Sequence, residues 1–272
     1  MPLHKIRLFI VIADLHAGST VSLLPPGFKT LEDETIGQNA VQRWLWTCWT
    51  DAQKFIARIT RRDPHALILN GDLIEGTHHG TKQIISTDTK DHVECAINLL
   101  TPLVERAAQT YVVRGTECHT NNSETTVAKA LGCEKNPVLG IPAWDRLTAD
   151  VNGVRCVFRH HIGASIRHNL RATQLSVQLA EEQLEAANNG EPIPRVVCCA
   201  HRHVENLYQD DNGLIFVCHP WQALTRFGHK IVSPSRTKPG VYILDFRDVG
   251  HGMLPIVHKR TYQAPQPRAV VF

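Results

Sequence analysis

No apolar run in this sequence approaches the roughly 20 residues a helix needs to cross a bilayer, which excludes a helical membrane-spanning protein. The start, Met1 to Arg7, lacks the apolar core and small-residue cleavage site of a secretion signal. A cytoplasmic protein is therefore expected. The net charge is only +3, short of the basic footprint of a tight nucleic-acid binder, although a local groove for phosphates stays compatible with it. The eight cysteines lack the paired spacing of a zinc ribbon, and several lie in apolar runs. Buried reduced thiols are expected rather than a disulfide framework. Low-complexity linkers and internal repeats are also missing, so a single domain over residues 1–272 is expected.

The chain is 43% hydrophobic and 20% charged, which is ordinary for a soluble globular protein. Histidine, at 16 residues, is abundant and raises the prospect of metal ligation. Short apolar runs read as buried strands at 5–13, 66–69 and 110–114. Helical periodicity covers 38–60, with Val41, Leu45, Cys48, Ala52, Phe55 and Ile59 as the apolar stripe. Trp44, Trp46 and Trp49 cannot all share one face of that helix. A second helix is expected over 91–108, interrupted near Pro102. A short one over 123–131 is capped by Ser123 and closed by Gly132. Asn152-Gly153 marks a hairpin. A long amphipathic helix follows over 168–188, then strands at 195–200, 204–209 and 214–218, and a hairpin over 240–259. Strand and helix alternate in the first half and hairpins dominate the second. That pattern predicts one α/β domain with two packed mixed sheets.

Polar residues sit where the apolar runs end, in a fixed order. Asp14 and His16 follow the first run, Gly71-Asp72 the second, and Gly115-Thr116-Glu117 with His119 the third. His160-His161 follow the strand from Val154, and His201-Arg202-His203 follow the run ending at Ala200. Each alone has a plain structural reading, as a turn residue or a satisfied surface histidine. Asp and His are also the ligands of borderline divalent cations. Open α/β sheets gather their ligands at such strand ends, so the conjunction points to a metal centre.

This order resembles the calcineurin-like metallophosphoesterases, whose motifs run D-x-H, G-D, G-N-H-D/E, a lone His, and G-H-x-H. The resemblance spans about residues 5–209. It implies a four-layer α/β/β/α sandwich with two central mixed sheets flanked by helices, and a dinuclear centre that hydrolyses phosphate esters. It places the first metal on Asp14, His16, Asp72 and His203, and the second on Asp72, His201 and a lone histidine. That histidine is His160, directly off its strand, or alternatively His161. Two departures stand out. Ala200 replaces the glycine of the last motif. Thr116 and Glu117 replace the Asn and His of the third, so Glu117 is expected to supply the missing oxygen ligand and His119 the missing imidazole. The long Pro-containing loop after His16 and the Trp-rich helix look like elaborations of a subgroup, one carried by bacteriophages.

The chemistry so implied is attack on phosphorus by a hydroxide shared between two divalent ions of the Mn, Fe, Zn, Ni or Co type, with Asp72 bridging and His119 donating a proton to the leaving oxygen. The expected partner is a phosphate ester, first a phosphodiester of a nucleic acid or nucleotide. The runners-up are a phosphomonoester and a metal-holding scaffold without turnover. Arg114, Arg159 and Arg202 lie beside the motifs as phosphate contacts or as ordinary surface charges.

Overall fold

The computed structural model describes residues 6–78, 80–120, 122–163, 171–226, 228–231 and 237–265. Ten strands form two five-stranded sheets. The first has the order β10 (Ile256–Thr261), β9 (Gly240–Asp245), β1 (Leu8–Ile12), β2 (Ala66–Asn70) and β3 (Gln109–Val113). The second has the order β4 (Leu147–Val151), β5 (Val154–Phe158), β6 (Pro194–Cys199), β8 (Leu214–Val217) and β7 (Asn206–Gln209). Both are mixed. Strands β1, β2 and β3 run parallel, as do β5, β6 and β8, and β4, β7, β9 and β10 pair antiparallel with their neighbours.

Side-chain alternation along the strands builds the layers. Phe9 and Val11 of β1, with Ile68, Leu244, Phe158, Cys198 and Phe216, fill the space between the sheets. Leu8, Ile10 and Ile12 face the other way, onto α1 (Ala40–Thr60), α2 (Thr89–Val104) and α4 (Ser123–Ala130). Val157, Val197, Cys199 and Ile215 likewise turn outward onto Leu175 and Leu179 of α5 (Arg171–Asn188). The order is helix, sheet, sheet, helix, as the resemblance implied. Cys198 and Cys199 point to opposite faces, and the seven cysteines whose side chains are described are free and buried.

Several local expectations need correction. Helix α1 starts at a capping box between Asn39 and Gln42, and its buried face is Gln42, Leu45, Cys48, Trp49, Ala52, Ile56 and Thr60. Leu45, Cys48 and Ala52 of the expected stripe are buried and Phe55 and Ile59 pack partly buried against the same core, whereas Val41 is exposed and Gln42, Trp49 and Ile56 join the face. Trp49 is buried edge-on against Trp221, their rings 4.7 Å apart. Helix α2 runs through Pro102 and ends at Val104. Its last turn begins there, and α4 is preceded by Asn122 in the left-handed conformation, without a side-chain cap from Ser123. Gly132 does close α4: its N–H and that of Cys133 reach the carbonyls of Lys129 and Ala128, which is a Schellman ending. Residues 168–170 of the expected long helix lie outside the described residues. The four-residue helices α3 (Glu117–Thr120) and α6 (Gly228–Ile231) were not anticipated.

Candidate metal centre

The loops that leave β1, β2, β3, β5 and β6 converge at one edge of the paired sheets. They do so with an unusual backbone. Asp14, His16, Asp72, His201 and His203 all have left-handed φ, between 46° and 73°. The alternation of side chains along an extended strand is therefore not what aims them. Left-handed turns beyond the strand do, at a cost in strain that clusters at functional sites. Trp221 N–H donates to the Asp14 carbonyl, and the His16 N–H to that of Asp72, so neighbouring loops fix the turns.

Three groups of potential ligand atoms result among the described residues. Asp14, His16 and His203 form the first, and Asp72, His160 and His201 the second; His16, Glu75 and His119 form the third, which shares His16 with the first. Within each, one ligand atom per residue lies within 4.8 Å of the rest. Asp72 links the first two: its Oδ2 lies 3.1 Å from His160 Nε2 and 3.7 Å from His16 Nε2. The glycines permit this approach. A Cβ on Gly71, whose φ is +84°, would lie 2.3 Å from His160 Nδ1, and one on Gly115 would lie 2.3 Å from Asp72 Oδ1.

The donors are arranged for cations. His160 Nδ1 donates to the Asn70 carbonyl at 2.8 Å, so in its neutral form Nε2 presents a lone pair to the Asp72 carboxylate. That buried Nε2 has no hydrogen-bond partner. His16 and His203 meet Nε2 to Nε2 at 3.0 Å. One ring donates and the other accepts, according to tautomer. Burial alone would lower both imidazoles, but the carboxylates outweigh it: Glu75, Asp72 and Asp14 hold His16 at about 9, and Asp72 and Asp14 hold His160 at about 10. Burial would raise Asp72, and the facing histidines pull it well below the ordinary carboxylate range. The nitrogen–oxygen donor set is of the kind that suits borderline divalent metals.

Of the two candidate histidines, His160 is buried and shares a group of potential ligand atoms with Asp72 and His201, whereas His161 is exposed with its ring 4.8 Å from that of His201. Glu117 is exposed, opens α3 and belongs to none of the ligand groups among the described residues. The oxygen beside the second group comes from Thr116 instead. Its hydroxyl is 3.0 Å from His201 Nδ1 and 3.2 Å from Asp72 Oδ2, and its N–H donates to Asp72 Oδ1 at 2.6 Å. His119 borders the first group, its ring 4.8 Å from that of His16 and its Nδ1 3.1 Å from the Glu75 carbonyl. Burial, then the charge of His16, lowers its pKa to about 4.

Two carboxylates were missed. Glu75 Oε2 lies 2.9 Å from His16 Nδ1 and accepts from Gln222 Nε2 at 2.7 Å, which turns the other nitrogen of His16 toward the ligands. Glu124, fully buried, accepts the N–H groups of Leu73 at 3.0 Å and Gly115 at 2.6 Å, joining the loops that carry Asp72 and Thr116. Glu75 follows Asp72 by three residues, a proximity that could have flagged it. Glu124 carries no signal apart from its place in the fold.

No protein-family model and no curated protein matches the sequence. Among solved structures, an archaeal phosphodiesterase is 11% identical, covering 93% of this chain and 99% of its own, with a TM-score of 0.43. Zinc-bound Vps29 from Entamoeba histolytica is 10% identical over 93% and 98%, with a TM-score of 0.43. A predicted phosphoesterase from Streptococcus pneumoniae is 11% identical over 94% and 97%, with a TM-score of 0.37. Likenesses this distant decide neither substrate nor chemistry, and they lend no support to a bacteriophage subgroup. The two mixed sheets of this chain form a four-layer α/β/β/α sandwich with the D-x-H, G-D and H-x-H residues at their strand ends, the architecture that the motif resemblance led one to expect. Among the described residues, no helix is long and apolar enough to cross a membrane.

Proposed function

We propose that this chain is a dinuclear phosphoesterase that hydrolyses phosphodiesters, the first expected class being those of nucleotides or nucleic acids. The observation that carries the reading is the Asp72 carboxylate lying between two complete ligand groups. Asp14, His16 and His203 would hold one divalent ion, and His160 and His201 the other, with Asp72 shared and the Thr116 hydroxyl beside the second. When bound, the ions would supply a low-pKa water and neutralise charge on the phosphoryl group.

The protein's own groups do the rest. Glu75 fixes the tautomer of His16, and the Asn70 carbonyl fixes that of His160. His119, held through Nδ1 by the Glu75 carbonyl and kept neutral near pH 7 by its lowered pKa, would hand a proton to the leaving oxygen only after first taking one up from solvent or substrate. A diester is favoured over a monoester because, beyond the ions themselves, the arginines beside the motifs are already engaged by other side chains. Arg114 is engaged by Asp145, Arg159 by the buried Glu182 at 2.5 Å, and Arg202 by Gln174 at 2.8 Å.

Turnover of bis(p-nitrophenyl) phosphate with Mn²⁺, together with metal analysis of the loaded protein, tests the reading. Two ions per chain, diester turnover above that of p-nitrophenyl phosphate, and at least roughly a thousandfold loss in Asp72→Asn are expected. Two bound ions with neither ester hydrolysed would instead support a metal-holding scaffold, a reading kept open by the altered third motif.

A further inference from the structure

Beside the second ligand group lies a cavity of about 420 Å³, lined in part by Arg114, Gly115, Glu117, Glu124, Asp145 and His161. It shares walls with the centre. Gly115 packs against Asp72, and the His161 ring lies 5.0 Å from that of His160. Its charge is unlike that of a phosphate-binding groove. Three carboxylates face one guanidinium, which Asp145 already engages at 3.2 Å. Glu117 and Asp145 are exposed, with their oxygens open to a ligand, whereas Glu124 is occupied by two backbone N–H groups. The buried Nε of Arg114 has no hydrogen-bond partner among the described residues, and the side chain lines the cavity.

We propose that this cavity seats one ester arm of the substrate and selects a neutral or cationic arm that donates hydrogen bonds over an anionic one. The proposal rests on the phosphodiesterase reading and narrows it. A second phosphate, such as the next linkage of a nucleic-acid strand, would meet Glu117 and Asp145 with like charge. A nucleoside, a polyol or an amino alcohol would meet acceptors for its hydroxyl or amine groups, with its ester or carbonyl oxygen toward Arg114. The volume suits one such group rather than a polymer.

The test is a binding comparison on Mn²⁺-loaded protein with two slowly hydrolysed diesters, 3-aminopropyl methyl phosphate and 3-carboxypropyl methyl phosphate. Calorimetry should give the amine a Kd at least roughly tenfold lower at low ionic strength. The double variant Glu117→Gln, Asp145→Asn, verified as folded by circular dichroism, should bring the two within about twofold. Equal binding by the wild type, a preference for the carboxylate, no detectable binding of either, or a preference that survives the double variant would each overturn the proposal. Bis(p-nitrophenyl) phosphate turnover is read separately. An amine preference without turnover would sink the phosphodiesterase reading and leave the pocket's selectivity standing.

Discussion

His16 Nδ1 and Glu75 Oε2 lie 2.9 Å apart in a region closed to solvent, and Glu75 is in turn held by Gln222. A carboxylate behind a ligating imidazole sets its orientation and raises its basicity. Glu75→Gln keeps the shape and removes the charge. It should weaken binding of one of the two ions by roughly 10–100-fold while the other is unaffected. Stepwise titration of metal-free protein with Zn²⁺ reads this directly; two unchanged sites would show that Glu75 serves the fold alone.

His160 and His161 are neighbours with different fates, one buried and bonded to Asn70, the other exposed. His160→Ala should bind one ion per chain and lose turnover. His161→Ala should keep two ions. Elemental analysis of both variants separates them, and the reverse result would move the ligand assignment to His161.

The metal-free protein should be less stable in alkali. His16 and His160 are held near 9 and 10 in the fold, above the ordinary histidine value of about 6.5 in the unfolded chain. A proton bound more tightly by the folded state stabilises it fully below pH of about 6.5, and that contribution fades as pH rises toward 9. Urea unfolding after chelation should show a loss on the order of 2–4 kcal/mol between pH 6.5 and 9. Saturating Zn²⁺ should flatten the profile, since the cations replace the protons. A metal-free protein that gains stability over that interval would refute the charge balance described for the centre.

Glu124 offers two oxygens to two buried N–H groups, and glutamine offers one. Glu124→Gln should therefore cost roughly 1–3 kcal/mol, through an N–H left facing the side-chain amine. It should also lower diester turnover, because Leu73 and Gly115 flank Asp72 and Thr116. Chemical denaturation and the bis(p-nitrophenyl) phosphate assay measure the two effects. Unchanged stability would mean that water reaches the abandoned groups.

Strand ends and their polar residues were legible because a buried strand is a short apolar run and the residue after it is free to be polar. Asp14, Asp72, His201 and His203 could be read that way. The direction of their side chains could not, since it depends on left-handed turns held by bonds between loops far apart in sequence. The stripe of α1 was legible at Leu45, Cys48 and Ala52, but the burial of Trp49 beside it was not, for a similar reason. Trp49 is buried because Trp221 arrives against it, a contact that periodicity cannot foresee. The third motif was the least transparent. Glu117 looked like the natural oxygen donor by charge, yet the short helix beginning at that residue leaves it exposed, and the Thr116 hydroxyl, one position earlier, meets the ligands.

Left-handed geometry at five ligand positions also constrains descent. Valine, isoleucine or threonine there would lose the cation and strain the main chain at once. A lineage that abandoned catalysis could still not vary these sites freely, and would be expected to retain asparagine, aspartate, histidine or glycine. Persistence of such residues in a relative would then testify to the shape of its loops before it testified to chemistry.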